Sequence, residues 1–110
     1  MQASRRRFLI SIEERTGVTD DGLGGEIETW EEVGQEFADI FYGSGSEQRD
    51  AAQRGASQVA SFEVLSNSLT RSLSEVDHRI IYGGGTWDIT AVHDLGLNDG
   101  IRIAGVRKKP

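Results

Sequence analysis

The 110-residue chain is long enough for one hydrophobic core but too short for a second or for a large buried pocket. Its 36% apolar and 27% charged residues, with a mean hydropathy of -0.42, belong to a folded soluble protein rather than to a disordered tail. Cysteine is absent, which excludes disulfides, thiolate metal sites and cysteine nucleophiles, and the net charge of -6 argues against ordinary nucleic-acid binding.

That net charge is unevenly spread. Arg5, Arg6 and Arg7 at one end and Arg107, Lys108 and Lys109 at the other hold half of the twelve positive charges. Between Phe8 and Val106 eighteen acidic residues face six basic ones, a balance of -12. Such a body repels phosphate. The two basic ends read as solvated, mobile termini of a single domain spanning 1–110. Ser4 to Leu9 matches the opening of a twin-arginine export signal, but Ser11, Glu13, Glu14 and Arg15 interrupt the apolar stretch such a signal needs, so the match is accidental. No stretch approaches the roughly 20 apolar residues that span a membrane.

Fourteen glycines and one proline punctuate short alternating apolar runs, the pattern of an all-β fold. Phe8, Ile10 and Ile12 alternate with more polar neighbours, predicting a strand with one buried face that ends near Thr16-Gly17. Thr19 to Gly25, including Asp20, Asp21, Gly22, Leu23 and Gly24, is dense in turn formers and reads as the tip of a hairpin. Glu26 to Val33 is the returning strand, anchored by Ile27 and Trp30. Gln35 to Tyr42 is a further strand, with Ala38, Ile40 and Tyr42 on one face and Phe37 and Phe41 on the other. Large residues on both faces indicate that one face meets a neighbouring subunit.

Ser44 and Glu47 have capping-box spacing and open the one expected helix, running to about Gly55 or Ser57. Its apolar residues, Ala51, Ala52 and Ala56, bury too little to hold a solitary helix. It either lies on the sheet through those small residues or packs on another subunit, with Gln48 and Ala52 as candidate contacts. Gln58 to Ser66 returns to β structure with Ala60, Phe62 and Val64 on one face. Asn67 to Val76 is a polar connection or a short turn of helix, with Leu69 and Leu73 at i, i+4 spacing. Arg79 to Tyr82, the turn Gly83-Gly84-Gly85, and Thr86 to Val92 form a hairpin with Trp87, Ile89 and Ala91 facing one way. Asp94 to Gly100 is a turn region, and Ile101 to Val106 is a last strand with Ile101 and Ile103 on a common face.

Chemistry finds no anchor in this pattern. The three glycines at 83–85 precede a strand, whereas a phosphate cradle precedes a helix. Gly22-Leu23-Gly24-Gly25 fails the dinucleotide spacing. His78 and His93, each beside an aspartate, lack convergent ligands and read as surface or strand-edge residues. No serine sits in a nucleophile elbow. Paired acids such as Asp20-Asp21 and Glu31-Glu32 fall where solvated charge is the default. No catalytic, cofactor-binding or metal-binding residue is assigned.

The order of elements resembles the head-tail joining, head-closure or "stopper" family of long-tailed bacteriophages and gene transfer agents over nearly the whole chain. Two phrases carry the resemblance: Gly25-Glu26-Ile27-Glu28-Thr29-Trp30-Glu31-Glu32-Val33, and His78-Arg79-Ile80-Ile81-Tyr82-Gly83-Gly84-Gly85-Thr86-Trp87-Asp88-Ile89. The serine- and leucine-containing Ser66 to Glu75 departs from the family pattern. The resemblance implies a small β-barrel or sandwich of about six or seven antiparallel strands with one short helix. It implies a non-enzymatic virion protein, assembled in the host cytoplasm, whose six or twelve copies form a homo-oligomeric ring. That ring would lie between portal or adaptor above and tail terminator or tail tube below, close the channel after DNA packaging, and let double-stranded DNA pass without specific binding. Candidate gating or docking residues are Asp20, Asp21, Gly22, Leu23 and Gly24 with Asn67, Leu69, Arg71 and Leu73; candidate subunit contacts are Phe37, Phe41, Gln48 and Ala52. A neighbouring connector or tail-terminator protein, and a monomeric OB-like β-barrel binding module, are the alternatives.

Overall fold

The computed structural model describes residues 7–53, 55–97 and 99–108, without the side chains of 51, 56 and 57. Arg5, Arg6 and Lys109, assigned above to solvated termini, lie outside the described residues, as do the side chains of Ala51 and Ala56.

Six strands, β1 (Phe8–Asp20), β2 (Glu26–Tyr42), β3 (Ala56–Leu65), β4 (His78–Tyr82), β5 (Gly85–Leu95) and β6 (Gly100–Lys108), form one antiparallel sheet. The sheet closes on itself in the order β1-β2-β3-β6-β5-β4, with β4 pairing back onto β1, so the all-β barrel is realised with six strands. Helix α1 (Gly45–Gln53) sits between β2 and β3.

Strand alternation builds the core. Ile10 and Ile12 from β1, Phe62 and Val64 from β3, Ile80 from β4, Trp87 and Ile89 from β5, and Ile101 and Ile103 from β6 all point inward and are buried. Phe62 meets Trp87 edge to face at 5.3 Å and Tyr82 at 6.4 Å, and Tyr82 in turn meets Phe8 at 6.0 Å. The indole N–H of Trp87 donates to the Tyr82 carbonyl at 3.3 Å, which satisfies the one polar atom of the largest buried ring.

The structure departs from the sequence expectations at definite points. β1 does not stop at Gly17 but runs to Asp20, because a bulge between Arg15 and Gly17 absorbs one residue and pairing resumes. Gly34 does not divide two strands; Glu26–Tyr42 is one 17-residue strand, with a second irregularity between Gly34 and Glu32. In β5 a bulge between Ile89 and Ala91 shifts the inward phase, so Val92 rather than Ala91 packs against the core. α1 ends at Gln53, ahead of Gly55, whose φ of +85° takes the chain out of helical geometry.

At the N-terminus of α1 the capping box forms as expected: the Glu47 N–H donates to Ser44 Oγ at 3.3 Å and the Ser44 N–H to Glu47 Oε1 at 3.4 Å.

Candidate functional site

The two ends of the barrel differ. Because β3 ends at Leu65 opposite Gly100, and β4 begins at His78 opposite Glu14, one end gathers the β1–β2 hairpin tip, the 66–77 connection and the β5–β6 turn. The other end carries α1, the β4–β5 turn, the start of β1 and the end of β6.

β1 and β2 are longer than the barrel requires. β4 pairs with β1 only from Ser11 to Glu14, extended by the Arg15 N–H donating to the Asp77 carbonyl at 2.8 Å, and β3 pairs with β2 only from Asp39 to Tyr42. The distal parts, Thr16–Asp20 and Glu26–Thr29, therefore continue past the barrel as a two-stranded ribbon. The 49 × 34 × 22 Å dimensions reflect this projection.

Arg79 holds the root of the ribbon. Its guanidinium binds Glu13 Oε1 through Nε and Nη2, each at 2.7 Å, and its Cζ lies 4.3 Å from the centre of the Trp30 ring. Trp30, read from the sequence as an apolar anchor of the returning strand, lies half-buried on this cation, while Ile27, the other such anchor, is 53% exposed. Arg79 and Trp30 belong to different phrases of the sequence, 49 positions apart, and meet across β1. Sequence reasoning missed this contact; the placement of both residues within the two quoted phrases was the available signal.

The tip is ordered by its own aspartates. Asp20 Oδ1 accepts from the Gly22 N–H at 2.9 Å, and Asp21 Oδ1 accepts from Leu23 at 2.7 Å and Gly25 at 3.0 Å. The hydrogen bonds donated to it by the Leu23 and Gly25 amides hold the Asp21 carboxyl below its ordinary value. Gly22 and Gly24 have φ of +81° and +85°, which L side chains rarely adopt. The loop so formed presents Leu23 almost wholly to solvent, 92% exposed.

The 66–77 connection is less free than its composition suggests. Thr70–Ser72 makes a single 3-10 turn, and Thr70 is fully buried, donating its hydroxyl to the Leu65 carbonyl at 2.7 Å. Asn67 and Thr70 exchange backbone-to-side-chain hydrogen bonds at 2.9 Å, while Asn67 Nδ2 donates to Glu36 Oε1 at 3.1 Å. Leu69 packs against Gly34, where a β-carbon would clash with its Cδ2 at 2.5 Å. Leu73 is buried with the core. Of the four candidates in this segment, Leu69 and Leu73 thus plug the barrel end, Asn67 ties the segment to β2, and Arg71 lies on the surface, donating to Ser66 Oγ at 3.1 Å.

His78 is buried, not at the surface: its Nδ1 accepts from the Ser74 N–H at 3.1 Å, pinning the end of the connection to β4. His93 is exposed. No group of three His, Asp or Glu side chains among the described residues is placed to hold a metal ion, and no helix of the described residues is long and apolar enough to cross a membrane.

On the outer wall Phe37 and Phe41 are 58% and 53% exposed, and Leu9 is the cross-strand partner of Phe37. This apolar strip is the face the sequence assigned to a neighbour. The other two contact candidates behave differently. Gln48 spends its amide inside the chain: Nε2 donates to the Gly43 and Val59 carbonyls at 3.2 and 3.0 Å, and Oε1 accepts from the Val59 N–H at 2.9 Å. That brace, absent from the sequence reading, fastens α1 to β3. Ala52 is exposed.

Among solved structures, a Shigella flexneri 2a protein determined in solution is similar at a TM-score of 0.67 and 18% identity, covering 97% of this chain and 96% of that one. A chain in the virion of a native gene transfer agent particle is similar at a TM-score of 0.61 and 24% identity, covering 94% and 96%. No curated protein sequence matches significantly. At these identities the two structures speak for the fold. The family model described as phage head completion protein matches residues 1–100. A match over nearly the whole chain, on a six-stranded barrel of this kind, places it: the chain belongs to the phage head completion protein family and is a structural protein of a phage-type virion.

Proposed function

We propose that this chain closes the head: several copies form a ring at the portal vertex once DNA is packaged, seal the channel, and offer the surface to which the tail docks. The role is structural rather than catalytic. The observation that carries this reading is the ribbon, a projection held at its root by Arg79 and leaving the barrel with no strand paired to its outer edge among the described residues, in a chain of the head completion family.

An isolated two-stranded ribbon is marginal in water, so one that projects this far calls for a surface to meet. The tip residues Asp20 to Gly24, with Leu23 foremost, are the gating or docking element. Asn67 and Arg71 flank it at the same barrel end, while Leu69 and Leu73 serve the core. Phe37 and Phe41 face an adjoining subunit. The ring lies between portal or adaptor and tail terminator. The acidic body lets DNA slide through the lumen without sticking.

The test adds purified protein to DNA-filled, tailless capsids that lack it. A new ring at the portal vertex in electron micrographs, together with retained DNA, is the expected outcome. Absence of binding to the matching capsids refutes head closure and favours a role on the tail side.

A further inference from the structure

β2 leaves one edge open along the ribbon. Its inner edge pairs with β1 from Glu26 to Ala38, but its outer edge is paired only from Asp39 onward, by β3. From Glu26 to Val33 the outer edge has no backbone partner among the described residues. Ile27 and Val33 are exposed along it, 53% and 40%. An exposed strand edge with apolar side chains is a template for another strand.

Charge specifies the occupant. Between Arg15 and Arg49 the sequence holds nine acidic residues and no basic one, and Glu26, Glu28, Glu31 and Glu32 lie on the open stretch of β2. Two runs of three positive residues exist, Arg5-Arg6-Arg7 and Arg107-Lys108-Lys109. Arg107 and Lys108 are already strand residues of β6, paired to β3, and Lys108 lies 3.5 Å from Asp88, whereas Arg5-Arg6-Arg7 leads directly into β1 in sequence and contains no proline to prevent pairing.

The same copy cannot bring the two together. Glu13, opposite Glu32, lies about 20 Å along β1 from Arg7, and Asp20, opposite Glu26, about 43 Å, at roughly 3.3 Å per residue. Arg5 is two residues from Arg7 in sequence, a covalent reach of at most about 7 Å, which falls short of either distance.

We infer that the open edge of β2 in one copy receives the arginine-led start of β1, Arg5 to Arg7, from a second copy. The contact joins two different surfaces, so it is head to tail and propagates around a ring instead of ending at a dimer. It deepens the ring reading and rests on it.

The chain has no cysteine, so introduced thiols report contacts cleanly. Protein carrying Arg6→Cys is mixed with protein carrying Glu28→Cys on DNA-filled, tailless capsids under mild oxidation. A covalent dimer containing one of each is expected, and none when Asp50→Cys on α1 replaces Glu28→Cys. In parallel, one variant carries Arg5→Glu, Arg6→Glu and Arg7→Glu, and another carries Glu26→Lys, Glu28→Lys and Glu31→Lys. Each alone should reduce ring occupancy by at least about tenfold, and an equal mixture should restore it, since opposite charges then meet at every contact.

Unchanged unfolding midpoints establish that both variants are folded. Rings that form equally well with either variant alone, or rings without the 6–28 cross-link, overturn the inference and leave head closure standing. Loss with the arginine variant that the mixture fails to restore assigns those arginines to DNA or to another ring protein, and also overturns it. Absence of any ring with the unaltered chain removes both readings.

Discussion

Replacing Arg79 by alanine tests how the ribbon is held. The guanidinium makes a charge-assisted contact of 2.7 Å with Glu13 between side chains that are only 24% and 23% exposed, and it lies 4.3 Å from the Trp30 ring centre. A hydrogen-bonded charge pair of this burial contributes about 1.5–3 kcal/mol, and a partly exposed cation–π contact about 0.5–1 kcal/mol. Residual solvent screening favours the lower half of the first range, so Arg79→Ala is expected to cost about 2–3 kcal/mol in urea denaturation. The loss is local in character. Amides of the ribbon, such as those of Gly17 and Thr29, should exchange with deuterium at least about tenfold faster, while those of β3 and β6 change only by the global destabilisation. A double-mutant cycle with Glu13→Gln should show coupling of about 1–2 kcal/mol. A cost under about 0.5 kcal/mol, the range of a surface ion pair, with ribbon exchange unchanged, refutes the clamp.

Phe62→Ala should destabilise the barrel by about 3–5 kcal/mol in the same assay, since the ring is fully buried between Trp87 and Tyr82 and its loss leaves a cavity. Gln48→Ala removes two hydrogen bonds that tie α1 to Val59 of β3 and one to the Gly43 carbonyl just after β2, and should cost about 1–3 kcal/mol with faster amide exchange across α1; unchanged exchange would mean that the helix is held otherwise. The Asp21 carboxyl sits below its ordinary value of 3.8 in the folded tip, so its hold on the Leu23 and Gly25 amides is complete above that value. It disappears as pH falls through the lowered folded value. The amide proton shifts of Leu23 and Gly25 should therefore titrate together at a pH below 3.8, and Asp21→Ala should abolish that titration.

Much of the barrel was legible because period-two burial is written directly into β1, β3 and β6: Ile10 and Ile12, Ala60 with Phe62 and Val64, and Ile101 with Ile103 are inward as their spacing requires. The misreadings cluster where a long-range neighbour decides. Gly34 looked like a break between strands, yet it is the gap that Leu69 fills. Leu69 and Leu73 looked like part of a docking loop because their surroundings are polar; Asn67, Thr70 and Ser72 satisfy that polarity within the segment, freeing both leucines to turn inward. A bulge in β5 reverses alternation without any glycine or proline to announce it. For the site, the hairpin and its tip were visible from glycine and aspartate density, whereas the Arg79 clamp depends on three strands and could not be read from any one of them.

Closure of the sheet has a consequence for the free subunit. Four of the six strands keep both edges inside the barrel wall along most of their length, so the backbone surface left for misassociation is concentrated on the ribbon. Two copies that tried to join there edge to edge, each offering β2, would set glutamates against glutamates. Like charges set opposite one another disfavour such pairing, so the acidity of the open edge works against the symmetric self-association that its unpaired backbone would otherwise invite.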